Sequence, residues 1–231
     1  LVKCVRQIIP TQTISIRAHG PLKEDIIPED ELSMDSRRAY MEMAAASGLT
    51  LVPQDRRNPM VTTTYGVGEM IADAVRRGCK TIIMGLGGSA TCDGGRGMIM
   101  ALRDNDCLNP DCDVIAACDV SNPLFGRNGA AYIFAPQKGA TPEQVALLDN
   151  HLRTFARETE LAGFASPSLA DYPGAGAAGG LGYALLAYLK AELHSGIDIM
   201  LDLANFDEAI KDADLVVTGE GKSDEQTLMG K

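Results

Sequence analysis

Thr81 to Gly97, TIIMGLGGSATCDGGRG, holds the residues best placed to do chemistry. A short apolar run, Thr81 to Met84, breaks into Gly85-Leu86-Gly87-Gly88-Ser89-Ala90-Thr91, and one carboxylate, Asp93, follows among further glycines. Glycines leave no Cβ between the backbone and a ligand. The N–H groups of such a loop, or of a helix that begins there, point at negative charge. Five glycines within 85–95, interleaved with Ser89, Thr91 and Asp93, read as a cradle for phosphate or carboxylate. A tight strand-to-helix turn packed on a neighbour is the other reading. No Lys follows the glycines, so this is not a Walker A loop, and Ala90 stands where G-x-G-x-x-G needs its third glycine.

Two further strand ends carry similar residues. The apolar run Val114-Ile115-Ala116-Ala117 ends at Asp119, where open α/β sheets place ligand and metal contacts. Asn122-Pro123 follows, so an Asx turn is the alternative there. Leu215-Val216-Val217-Thr218 reads as a third buried strand and opens into Gly219-Glu220-Gly221-Lys222-Ser223-Asp224. Three such ends at 85–93, 119 and 219–224 describe a shared cleft for an anionic substrate and a cation. Lys138, beside Gly139, is either a phosphate ligand or a surface lysine, and its sequence context leans to the surface. Thr62-Thr63-Thr64 offers caps for the next helix or hydroxyls for a ligand.

The elements that position these groups alternate in the α/β manner. The hydroxyls and glycines of 62–69 precede a helix that runs to about Arg77, with Met70, Ile71, Ala74 and Val75 on one face and Gly78 as its stop; the central strand, the glycine loop and another helix follow. Thr141-Pro142-Glu143-Gln144 predicts a capping box for a helix bearing Val145, Leu148, Leu152 and Phe155. Pro173 to Gly180 is a second glycine-rich loop, either another anion site or small residues for close helix packing, and His194 is expected to cap the end of the helix after it. His151 reads as a solvated histidine. A short helix over 205–211 has Asn205 and Glu208 at capping-box spacing. Upstream, 13–18 alternate as a strand, Ile8-Ile9 reads as the tail of an earlier strand, 22–38 as a polar surface loop, and Tyr40 to Ala46 as ordered, with Glu42 either pointing into a site or, as its context leans, exposed on the surface.

Composition limits the partners. Of 231 residues, 31 are acidic and 21 basic, a net charge of −10, and no basic run exceeds two residues. Nucleic acid is therefore not expected. No apolar run approaches the roughly 20 residues of a membrane span. The six cysteines show no C-x-x-C pair, which predicts reduced thiols in a cytoplasmic protein and no zinc site. The first residues, Leu-Val-Lys-Cys-Val-Arg, have no signal-peptide layout and read as the interior of a longer protein.

Gly85–Ala90 alone resembles the phosphate loop of galactokinase-type small-molecule kinases. A wider resemblance rests on seven blocks in order: EMAAASGL (42–49), NPMVTTTYGVGE (58–69), GLGGSATCDGG (85–95), ACDVSNPLFG (117–126), FAPQKGAT (134–141), PGAGAAGGLG (173–182) and VVTGEGKSDEQT (216–227). Together they resemble the type 1 glycerate kinases from about Gly20 onward. That resemblance implies a two-domain α/β fold of mixed and parallel sheets flanked by helices, with a Rossmann-like domain only partly present in this chain. It also implies ATP-dependent phosphorylation of D-glycerate, usually at the 2-hydroxyl, with Mg²⁺. The expected division is 1–20 leading from the Rossmann-like domain, 21–205 as the substrate domain, and 206–231 returning. Strand-end placement and block membership assign Asp119, Asp224 and Lys138 to catalysis. Gly87, Gly88, Ser89, Thr91, Asp93, Thr63 and Thr64 are assigned to substrate or phosphate, and Glu220 and Asp224 to the metal. A homodimer stays open. The family's opening Asp-Ser-Phe-Lys and acidic glycine-rich segments are missing, 26–40 is altered, 100–114 is compressed, and family members continue past Lys231. The chain then reads as a fragment, or as one with segments closed up, and a fragment binds ligand without turning it over.

Overall fold

The computed structural model describes residues 1–33, 37–217 and 219. The apolar run predicted as the central strand is β6 (Thr81–Gly85) once the preceding strands are counted: β1 (Gln12–Ser15), β2 (Ala18–His19), β3 (Asp25–Ile26), β4 (Glu29–Ser33) and β5 (Arg38–Glu42). With β7 (Asp113–Ala117) and β8 (Glu192–His194) it forms a six-stranded sheet of order β1-β4-β5-β6-β7-β8, while β2 and β3 pair separately. The β1-β4-β5 edge is antiparallel and β5 through β8 run parallel. The fold is thus the expected α/β class, a mixed and mostly parallel sheet with helices around it. The sheet also spans the boundary expected at residue 20, since β1 pairs with β4.

Side chains alternate across β6, so its two faces bury against different layers. Ile82 and Met84 enter the main core with Val67, Met70 and Ile71 of α3 (Tyr65–Arg76) and Met98 and Leu102 of α4 (Arg96–Asp104). Ile83 turns to the other face, against Val5 of α1 (Val2–Ile8), Tyr40, and Ile199 of α8 (Gly196–Leu203). Each such fully buried aliphatic contributes about 1.5–3 kcal/mol. The short α2 (Met43–Ser47), α5 (Ala130–Phe134) and α9 (Phe206–Ile210) and the longer α6 (Pro142–Leu161) and α7 (Ala177–Leu189) complete the helices. The capping box of α6 forms as predicted: Gln144 N–H donates to Thr141 Oγ1 at 3.3 Å, and Thr141 N–H donates to Gln144 Oε1 at 2.9 Å.

Several local expectations are corrected. Ile8 ends helix α1 rather than a strand, because Val2, Val5 and Ile9 recur at helical spacing and Val5 reaches the sheet. Residues 22–33 are not a surface loop. They contain β3 and β4, and the acids Asp30 and Glu31 are buried within β4. Glu31 is held there by the Thr11 and Thr13 hydroxyls and the Arg6 guanidinium, so a carboxylate occupies an interior position at low cost. His194 caps no helix: α7 ends at Leu189 with Lys190 left-handed at φ 54°, and His194 lies in β8 opposite Ala117. The 205–211 helix forms as α9, but left-handed Asn205 makes no side-chain cap. Leu215, Val216 and Val217 are exposed and outside the sheet, because among the described residues they pair with neither of its edges, β1 and β8. Glu42 accepts from Val2 N–H at 3.2 Å rather than facing solvent alone.

Candidate functional site

Because β6 and β7 are parallel and in register, Gly85 opposite Ala117, both strands deliver their ends to the same side of the sheet. The glycine loop leaves one end and Asp119 the other. Between them lies a cleft of about 440 Å³ whose walls include Gly87, Gly88, Ser89, Asp119 and Lys138. The loop is pinned from below: Leu49 N–H donates to Gly88 O at 2.8 Å and Ala90 N–H to Ser47 O at 2.8 Å. Gly88 is left-handed at φ 75°. Gly87 has open space where a Cβ would stand, which leaves its backbone clear toward the cleft.

Lys138 is the largest departure from the sequence reading. It ends the 3₁₀ turn Pro136–Lys138 and is 2% exposed, not a surface residue. Its Nζ donates to Ser89 Oγ and to Thr91 O, each at 2.6 Å. No carboxylate pairs with it among the described residues, and burial pulls its pKa down to about 8. Turn and loop are therefore joined by a buried ammonium that no carboxylate contacts among the described residues. The nearby Cys92 thiol is pushed up to about 11 by burial, so it stays protonated at neutral pH.

Asp119 sits at the cleft mouth. Its Oδ1 accepts from Gly196 N–H at 2.8 Å, in the first turn of α8, where the helix dipole favours a negative charge.

The other predicted residues are placed differently. Asp93 is a strut: its Oδ2 accepts from Thr64 N–H at 2.9 Å, Thr64 Oγ1 at 2.8 Å and Gly97 N–H at 3.2 Å, and its Oδ1 from Gly95 N–H at 3.0 Å. Thr64 Oγ1 also accepts from Met98 N–H at 3.0 Å, and Thr63 Oγ1 accepts from Tyr65 N–H at 3.2 Å. Thr63, Thr64 and Asp93 thus join the starts of α3 and α4 to each other and stand apart from the cleft walls. Thr91 is fully buried and offers its carbonyl to Lys138, while its hydroxyl has no partner among the described residues. His151 is exposed, lining a second cavity of about 350 Å³ that also reaches Asp93 and Arg96. Glu220 and Asp224 lie outside the described residues, as does the third strand end apart from Gly219.

The second glycine-rich loop divides between its two readings. Ala178, Gly179 and Gly180 are all left-handed. A Cβ on Gly179 would collide with the Thr91 carbonyl, and one on Gly180 would stand 2.8 Å from Gly94 Cα. Gly94 N–H donates to Gly179 O at 3.0 Å. The two glycine loops are therefore packed backbone to backbone, and Ala177 and Ala178 wall the cleft. Gly179→Ala is expected to destabilise the fold by about 2–3 kcal/mol, from positive φ and the carbonyl clash together, read as a lowered thermal midpoint. Sequence reasoning also missed Cys118 and Gln137 on the cleft wall; adjacency to Asp119 and Lys138 was the available signal.

Backbone N–H groups, a desolvated ammonium and a carboxylate around one cleft can bind an oxyanion, neutralise growing charge on it and take a proton from a nearby hydroxyl. Among the described residues no helix is long and apolar enough to cross a membrane, and no group of three or more His, Cys, Asp or Glu is set to hold a metal.

Comparison with known proteins gives a consistent picture. The model of the Glycerate kinase family matches residues 1–107 and 103–231. Glycerate 2-kinase of Escherichia coli K12 is 45% identical over 239 residues, covering 92% of this chain and 62% of the relative. Glycerate kinase of Bacillus subtilis 168 is likewise 45% identical, with the same coverage. A crystal structure of a glycerate kinase 2 candidate from Salmonella typhimurium LT2 superposes with a TM-score of 0.88 at 39% identity, covering 98% of this chain and 67% of that one. The chain spans 62% of the length of the first two of these relatives.

Proposed function

Because the chain belongs to the glycerate kinase family, we propose that it transfers the γ-phosphoryl group of ATP to D-glycerate, at the 2-hydroxyl. The observation that carries this reading is Lys138, buried with no carboxylate partner among the described residues and bonded to the glycine loop at the cleft. A cation placed this way awaits an anion. The backbone of Gly87, Gly88 and Ser89 receives the phosphate, and Lys138 neutralises charge that grows on it during transfer. Asp119 accepts the proton of the attacking hydroxyl. Asp93, Thr63, Thr64 and Thr91 support the loop and hold the phosphate cradle in shape.

A nucleotide fits the open backbone at Gly87 and the buried ammonium of Lys138. For Mg²⁺, Asp119 is the one carboxylate on the cleft wall among the described residues, in keeping with a cation held by one or two carboxylates plus phosphate oxygens. Glu220 and Asp224 are the further oxygen donors in this proposal. When bound, Mg²⁺ supplies charge neutralisation on the transferring phosphates. Residues 21–205 form the substrate-binding part, with 1–20 and 206–231 as its connections to the Rossmann-like domain. The setting is the cytoplasm, with which the six free cysteines agree.

The test is ADP release that requires D-glycerate, ATP and Mg²⁺ together, with ³¹P NMR to locate the phosphate on the product. Release dependent on glycerate supports the reading. Thermal stabilisation by glycerate without ADP would make the chain a binding module, and release with homoserine or sugars but not glycerate would favour the galactokinase-type chemistry. Asp119→Asn is expected to lower turnover about 100-fold. Its thermal midpoint should hold, because the amide oxygen still accepts from Gly196 N–H; an unchanged rate would remove Asp119 as the base.

A further inference from the structure

We infer that Arg57, on the segment packed against the turn that carries Lys138 and next to the cleft wall rather than on it, is a second oxyanion-binding residue that acts through its guanidinium. The inference rests on the kinase reading for the identity of its ligand, but not for its geometry. Arg57 follows the 3₁₀ turn Gln54–Arg56. It is the one described arginine that is not exposed. Its Nε is buried and has no hydrogen-bond partner among the described residues, and no carboxylate there pairs with its guanidinium. The buried end of a guanidinium left without an acceptor is costly, so a native structure that keeps one calls for an explanation.

Gly139 explains how Arg57 comes to lie there. It follows Lys138 at φ 94°, and a Cβ on it would collide with the Arg57 carbonyl and stand 3.0 Å from Arg57 Cβ. The backbone of Arg57 is thus pressed against the turn that carries Lys138. A buried ammonium and a half-buried guanidinium with a buried Nε therefore sit on adjoining segments, and among the described residues neither has a carboxylate partner, in a chain with ten more negative than positive charges. Left unpaired by every acid among the described residues, both cations are available to an anion from outside. A guanidinium matches the two oxygens of a carboxylate or phosphate with paired N–H donors, which an ammonium does not. The ligand class is an oxyanion, either the carboxylate of the hydroxy acid or a phosphate of the nucleotide.

The experiment compares wild type with Arg57→Lys and Arg57→Gln by steady-state kinetics in each substrate, and by thermal shift with inorganic phosphate. The expected result is a KM raised about tenfold or more for one substrate in both variants, since a charged hydrogen bond is lost or misplaced. A rise for D-glycerate assigns the carboxylate, and a rise for ATP assigns the phosphate. The thermal midpoint without ligand should hold or rise, because no internal partner is lost, and stabilisation by phosphate should shrink in Arg57→Gln. Unchanged KM values together with unchanged phosphate stabilisation would overturn the inference, as would a lowered midpoint with unchanged KM, which marks a packing role. If wild type itself releases no ADP with glycerate, the kinase reading fails. The phosphate shift then decides Arg57 alone: equal stabilisation in wild type and Arg57→Gln, or none in wild type, overturns it.

Discussion

Lys138→Met is expected to lower turnover by about 10³-fold while leaving the chain folded. Methionine fills the space of the lysine stem but supplies neither charge nor the two hydrogen bonds to Ser89 Oγ and Thr91 O. The pH dependence follows from burial, which holds the ammonium at about 8 against an ordinary 10.5. Below about 8 the group is charged and the site competent, so wild-type activity should fall as pH rises through that value, and no such limb should remain in the residual activity of the variant. Stability runs the other way. With the folded pKa depressed, the unfolded chain holds more protons between about 8 and 10.5, so stability rises with pH across that window. Below it the buried charge costs on the order of 3 kcal/mol. Methionine removes that cost but leaves the Thr91 carbonyl without its donor, worth about 1–3 kcal/mol, so the thermal midpoint at pH 7 should hold or rise. Ser89→Ala separates charge from scaffolding: it should cost about tenfold, because Thr91 still anchors the ammonium. An equal loss in Ser89→Ala would make Lys138 a positioning residue, and near-normal turnover in Lys138→Met would remove it from catalysis.

Residues with a repeating pattern were legible in the sequence. Thr81–Gly85 and Asp113–Ala117 are short apolar runs bounded by polar or glycine residues, and each is a parallel strand in the interior of the sheet, flanked on both sides. The α3 face and the α6 capping box rest on spacing within one element, which tertiary context did not override. Lys138 was not legible in that way. Nothing within a few residues of a lysine says that a distant serine and carbonyl will meet its ammonium; Ser89 is 49 positions away. Asp93, Thr63 and Thr64 show the opposite case. Their types suit a ligand, but the same hydroxyls and carboxylate also suit two helix starts that must be joined, and only the packing of α3 on α4 decides between these uses. Residues 22–33 were misread for a related reason, because five acids in eight positions read as solvated until their partners across the sheet are known.

One of those acids gives the second large effect. Asp30→Asn is expected to stabilise the fold by as much as about 4 kcal/mol at pH 7. Asp30 is fully buried in β4, pointing to the face opposite Glu31, and neither carboxylate oxygen has a partner among the described residues. Burial, with Asp73 and Glu31 adding repulsion against the attraction of Arg77, pushes its pKa up to about 8 from an ordinary 3.8. The folded chain then keeps this proton at pH values where the unfolded chain has lost it. Stability contributed in acid is therefore lost as pH rises from 3.8 to about 8, and is flat above that. Asparagine is neutral in both states, so its urea midpoint should lack this decline, and the two proteins should differ little at pH 4 and most above pH 8. Asp30 is not on the cleft wall, so the kinetic constants should stay those of wild type. Parallel stability curves for the two proteins from pH 4 to 9 would mean that the carboxylate is ionised in place, held by Arg77 more strongly than desolvation opposes it. If the decline appears, this acidic strand destabilises the sheet at neutral pH through Asp30 alone, since Glu31 in the same strand is compensated by the hydroxyls of Thr11 and Thr13 and the guanidinium of Arg6.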